Sequence, residues 1–197
     1  MEKFTLGLEL PTDPRWVNIA EKNIEDILID HAFCEQKAAS SCISLIVQFP
    51  EYERIVEVMT PVVAEEWSHF ERVMEHIKKR GFKLGRARVD EYVKALNKIE
   101  KKGGNRPTQI VEKLLINALI EARSCERFKI LWKNILDKEL QLFYYELMVS
   151  EASHYKNFLA LAKEFLPEAT VMARWKELLA AEAEIMKGLE PRPDRLH

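Results

Sequence analysis

From about residue 16 to residue 49 apolar side chains return every three or four positions, as in a helix that buries one face, and Pro50 interrupts the run. After PEYE the stripe Ile55, Val58, Val62 resumes and continues toward Ile77, with Gly81 as its natural end. A short helical stretch lies in DEYVKALNKIEKK, and the GGNRP that follows has the glycines and proline of a loop. A third long periodicity runs from Thr108 to about Asn134, and Asp137 offers an N-cap to a fourth that reaches Phe165. Pro167 suits the first turn of a fifth helix through EATVMARWKELLAAEAEIMKGL, ahead of the polar tail EPRPDRLH.

Two short turns and one long connection group the four long helices into two hairpins. That layout predicts an all-α, ferritin-like four-helix bundle with a long crossover between its second and third helices and an additional C-terminal helix. A length of 197 residues suits one such domain, residues 1–197, and no linker composition divides it. Six glycines, with 47% hydrophobic and 31% charged residues, describe a helical, soluble chain. Three cysteines, Cys34, Cys42 and Cys125, contain no C-x-x-C pair, which argues against a disulfide framework or a structural zinc and fits a reducing cytoplasm. There is no basic and then apolar leader, nor an apolar run near the ~20 residues a bilayer needs. A cytoplasmic protein with no membrane partner is expected.

The chemistry is concentrated in a repeat. EEWSHF at residues 65–70 and SEASHY at residues 150–155 each hold a glutamate and, three positions on, a histidine. Glutamate is abundant here, so the motif alone fits two solvated helix faces; its place in the periodicity decides otherwise. Leu140, Tyr144, Leu147, Glu151, His154, Phe158, Leu161 and Phe165 form one helical row, and Val62, Glu66, His69 and Val73 form another. Both pairs therefore belong to core faces, where an uncompensated carboxylate costs several kcal/mol. Partner helices should then carry further acidic residues at matching depth. Glu66 lies sixteen residues past Pro50, and counting back a similar distance reaches Glu35, in the small apolar row Leu28, Ala32, Ala39, Cys42, Ile46. On the third long helix Glu121 and Glu126 are about 140° apart. Glu121 shares a row with Ile110, Leu114, Asn117, Ser124 and Phe128 and has the right depth, whereas Glu126 shares a charged face with Glu112, Lys129 and Lys133.

The resulting set repeats itself: Glu35 then Glu66 and His69 after 31 residues, Glu121 then Glu151 and His154 after 30. A glutamate from each of two helices and Glu-x-x-His from each of two others is the ligand set of carboxylate-bridged dinuclear centres. Two divalent cations balance four carboxylates, and oxygen-rich donors with two imidazoles suit iron or manganese, with zinc admissible. His31 and His76 lack the pairing and read as ordinary core or surface histidines. Tyr144, Tyr145 and Cys34 read as packing residues, and Asp30 as a candidate support for a histidine ligand.

Residues 78–106 hold eleven Lys or Arg against three acidic residues, in a chain of net charge −2. Such a local excess is the footprint of a phosphate-backbone partner. It makes Lys78, Lys79, Arg80, Lys83, Arg86, Arg88, Lys101, Lys102 and Arg106 candidate RNA contacts, and Arg123, Arg127, Lys129 and Lys133 suggest a second basic stripe. The ligands by themselves leave iron storage, peroxide reduction and dioxygen activation open, and a metal-free helical interaction module stands beside them.

LGLELPTDPRWV, DHAFCEQKAASS, EEWSHFERV and SEASHYKNFL resemble the tRNA hydroxylase family that acts on 2-methylthio-isopentenyl-adenosine beside the anticodon, MiaE, over nearly the whole chain. The resemblance implies a nonheme diiron monooxygenase in which Glu35, Glu66, His69, Glu121, Glu151 and His154 hold two iron ions. Dioxygen would be the co-substrate, and one oxygen atom would enter the isopentenyl side chain. It further implies the tRNA anticodon stem-loop as partner, with the modified base splayed out of its stack and entering near the crossover. Two electrons would come from a separate donor or reductase, since no G-x-G-x-x-G fingerprint is present. A monomer or small homo-oligomer is expected. A ferritin-like ferroxidase or peroxidase is the alternative.

Overall fold

A computed structural model describes residues 6–87 and 89–189. Among the described residues there are seven helices and no strand: α1 (Arg15–Glu21), α2 (Ile24–Gln48), α3 (Glu53–Lys79), α4 (Glu91–Ile99), α5 (Arg106–Asn134), α6 (Lys138–Phe165) and α7 (Glu168–Gly188). The predicted ends have the predicted chemistry. Gly81, at φ 73°, closes α3: its N–H donates to the Lys78 carbonyl and that of Phe82 to the Ile77 carbonyl, both at 3.0 Å. The Asp137 carboxylate accepts the Glu139 and Leu140 N–H groups at 3.0 and 3.1 Å and starts α6.

Two expectations need correction. The first long helix is interrupted between α1 and α2, where Asn23 has φ −131° and ψ 40° and its side-chain amide donates to the Ile19 carbonyl at 2.8 Å. An asparagine that bonds the preceding turn offers the backbone an alternative to the helix. Pro167 is the N-cap of α7 rather than part of its first turn, with an extended ψ of 136°.

Asn18–Val89 form one compact unit, in which α2 and α3 pack as a hairpin. The described residues up to Val17, with those from Asp90 on, form a second, built on the α5–α6 hairpin with α7 packed against α4, α5 and α6. In the second unit α5 is buried on nearly every face, its polar residues Glu112, Asn117, Glu121, Arg123, Ser124, Glu126 and Arg127 included.

Burial overturns the second basic stripe. Lys133 is exposed and Lys129 half-buried, but Arg123 and Arg127 lie inside the unit. Arg123 donates to Glu182 Oε1 at 2.7 and 3.0 Å and to the Leu10 carbonyl at 3.0 Å, and pairs with Glu126. Glu126 in turn accepts the Thr12 N–H at 2.8 Å and its hydroxyl at 2.7 Å, and Tyr92 donates to Glu182 at 3.2 Å. Burial opposes the charge on Arg123, but Glu126 and Glu182 outweigh it and raise its pKa. Arg127 lies 4.3 Å from the Trp16 ring centroid, and burial, with the neighbouring Arg123 charge, pulls it down to about 10.

Candidate metal centre

Each hairpin carries a buried cluster of three donors. In the first, α2 contributes Glu35 and α3 contributes Glu66 and His69 from one face, and one ligand atom of each lies within 4.8 Å of the others. His69 Nδ1 is 3.5 Å from Glu35 Oε2 and 3.7 Å from Glu66 Oε2. The α2 residues one turn to either side of Glu35, Ala32 and Ala39, are small and buried, which keeps the space beside the carboxylate open.

The second cluster joins Glu121 of α5 to Glu151 and His154 of α6, again within 4.8 Å. His154 Nδ1 is 3.3 Å from Glu151 Oε2. Leu147 and Phe158, one turn before and after this pair on α6, are buried. Of the two α5 candidates the structure brings Glu121 to the α6 pair, while Glu126 is engaged by Thr12 and Arg123.

Two carboxylates close together and away from water repel one another and lose hydration. A divalent cation answers both costs. Oxygen donors with one imidazole per cluster suit iron or manganese, so the residues present fit a metal centre. Cys125 is no part of that donor set: its thiol donates to the Met148 carbonyl at 3.2 Å, and burial, followed by the Glu151 charge, pushes it up to about 12. The ring of Tyr144 packs on Phe128 and Phe143 at 5.5 and 5.3 Å, and Tyr145 lies 4.8 Å from Trp132.

A family model described as tRNA-(MS[2]IO[6]A)-hydroxylase (MiaE) matches residues 2–197. The chain belongs to the MiaE family. The tRNA 2-(methylsulfanyl)-N(6)-isopentenyladenosine(37) hydroxylase of Pseudomonas putida is 39% identical over 182 residues, which cover 92% of this chain and 87% of that protein. The hydroxylase of the same name from Salmonella typhimurium is 28% identical over 239 residues, covering 95% and 85%. Among solved structures, protein 43 with aldehyde deformylating oxygenase activity from Synechococcus is similar with a TM-score of 0.91 and 33% identity, covering 96% of this chain and 94% of that one. The all-α, ferritin-like class expected from the helix layout is the class observed.

In this member of the MiaE family the candidate RNA contacts fall on two stretches. Lys78, Lys79, Lys83 and Arg86 are exposed where α3 ends, and the half-buried Arg80 donates to His76 Nδ1 at 3.1 Å. Lys101, Lys102 and Arg106 are exposed around the start of α5, with Lys101 Nζ 2.9 Å from Glu177. Arg88 lies outside the described residues. No helix of the described residues is long and apolar enough to cross a membrane.

Two features escaped the sequence reading. His31 is buried and bonds Glu35, with the four-residue spacing on α2 as the available signal. Besides Glu126, three positions on, Arg123 has partners 59 and 113 positions away, at Glu182 and Leu10, for which there is no local signal. Asp30, buried on α2, accepts the Cys34 thiol at 3.9 Å.

Proposed function

We propose that the protein is an oxygen-dependent tRNA hydroxylase. As a nonheme diiron monooxygenase of a single ferritin-like domain, it adds one oxygen atom to the isopentenyl side chain of 2-methylthio-isopentenyl-adenosine next to the anticodon, in the cytoplasm. One observation carries this reading: a chain matched over residues 2–197 by the hydroxylase family holds, in each hairpin, a buried cluster of two carboxylates and one imidazole. Glu35, Glu66 and His69, with Glu121, Glu151 and His154, hold two iron ions. Bound iron supplies the dioxygen activation that side chains lack.

The rest is the work of the chain's own residues. The four carboxylates neutralise the cations, and His69 and His154 bind as neutral rings. Ala32, Ala39, Leu147 and Phe158 keep water from the donors, which limits side reactions with solvent. Lys78, Lys79 and Lys83 bind backbone phosphates, and the modified base leaves its stack to reach the site. A separate donor supplies two electrons.

The test is a single turnover. Iron-loaded protein is reduced chemically and exposed to dioxygen with tRNA bearing the methylthio-prenyl base, and the digested nucleosides are weighed. A gain of one oxygen on the prenylated adenosine is expected. No gain with iron present would shift the substrate toward the aldehyde class named for the similar solved structure. For the RNA surface, changing Lys78, Lys79 and Lys83 together to Ala should weaken tRNA binding and flatten its salt dependence by roughly one unit of log–log slope per lost phosphate contact. Filter binding across a salt series reads this, and an unchanged slope would remove these lysines from the interface.

A further inference from the structure

We propose that His31 is a positioning residue for Glu35: it donates a hydrogen bond to one carboxylate oxygen and so leaves the other as the metal ligand. This rests on the metal reading above and goes beyond it, since His31 belongs to no Glu-x-x-His pair.

The geometry divides Glu35 in two. His31 lies one turn earlier on α2, is fully buried, and places Nε2 2.5 Å from Glu35 Oε1. The other oxygen, Oε2, is 3.5 Å from His69 Nδ1, the imidazole of the cluster. An ionised carboxylate can only accept, so in this contact the ring nitrogen donates. A carboxylate with both oxygens free can bind an ion through one or both and can rotate between the two modes. One with Oε1 held by a buried donor keeps a single rotamer and offers Oε2. A neutral ring protonated on Nε2 suffices, so no change of charge at His31 is needed.

The second hairpin repeats the arrangement in outline. Four residues before Glu121, at the position corresponding to His31, stands Asn117, also buried and also a side chain with N–H groups to donate. Each glutamate outside the Glu-x-x-His pairs thus has a potential donor one helical turn before it. Partners of this kind set ligand orientation, and losing one typically weakens metal binding by about 10- to 100-fold.

The experiment titrates the metal-free protein with Co(II), whose absorption reports its ligands, in the wild type and in His31→Phe and His31→Gln. Phe keeps the ring and removes the donor; Gln keeps an N–H at similar reach. His31→Phe should retain its helical circular dichroism, bind Co(II) about tenfold or more weakly and show an altered visible spectrum. His31→Gln should recover most of the affinity and the wild-type spectrum. If the Phe variant does not fold, His31→Asn, polar but too short to reach Glu35, takes its place with the same expectation. Wild-type affinity and spectrum in the donor-less variant would overturn the proposal, as would a Gln variant no better than Phe. A spectrum showing one imidazole fewer in both would make His31 a ligand instead. A wild-type protein that binds no Co(II) would overturn the metal reading itself, an outcome distinct from the others.

Discussion

Glu151→Ala is expected to give a folded, helical protein that fails to retain its full metal complement and whose turnover falls by at least about a hundredfold, more than the loss of an outer contact costs. The reason is the seat of this carboxylate: Glu151 is 2% exposed and shares its cluster with Glu121 and His154. The stability of the metal-free protein should move the other way. Without a cation, Glu151 is a buried carboxylate beside another, and burying a poorly compensated polar group costs about 1–3 kcal/mol in proteins, a cost an apolar side chain of similar size does not carry. Glu151→Leu should therefore unfold no earlier than the metal-free wild type, while losing the rise in Tm that added Fe(II) gives the wild type. Metal analysis and thermal unfolding with and without Fe(II) measure both halves. An active, iron-replete Glu151→Ala would remove this residue from the ligand set.

Arg123→Met should have the largest effect on folding. It takes the cation from Glu126 and Glu182 inside the second unit, and breaking a buried pair from one side costs about 3–5 kcal/mol, a fall of roughly 10 °C in Tm for a chain of this size. The loss should depend on pH in a definite direction. Burial already raises the pKa of Glu182, with Arg123 the chief opposing influence. A carboxyl whose folded pKa is raised takes up protons more readily folded than unfolded, so its contribution to stability is present at low pH and is lost as pH rises through the folded value. Without Arg123 that value climbs further. Urea unfolding should find the variant's deficit larger at about pH 7.5 than at about pH 5. Replacing Glu126 and Glu182 by Gln in the same variant should recover part of the loss. A pH-independent deficit would mean that packing, not charge, is what Arg123 provides.

That arginine also shows where the sequence stops being legible. The Glu-x-x-His pairs could be placed because each lies in a row of Leu, Val and Phe, and a row reports its own face. The Asp137 cap and the Gly81 stop could be placed because capping involves only the next few residues. In the sequence Arg123, Glu126 and Arg127 read as outward because charge normally marks the solvent side, and that inference fails when a helix such as α5 is enclosed on nearly all faces and its charges neutralise one another there. Their partners, Thr12, Leu10 and Glu182, come from segments with no periodic relation to α5. The break at Asn23 was hidden for the opposite reason: one side chain reaching back to Ile19 overrides an unbroken apolar pattern.

The bonds from Thr12 to Glu126 span 114 positions. On a ribosome, the stretch holding Leu10 and Thr12 emerges early, and the whole of Asn18–Val89 is then synthesised before α5 exists to receive it. α7, which brings Glu182, comes later still. Both helices of the α2–α3 hairpin are in hand once residue 79 has been made, but the second unit cannot complete its interior until α7 has been made. The backbone around Leu10 and Thr12 must wait in solvent until α5 has been made, and the burial of Arg123 is complete only once α7 brings Glu182.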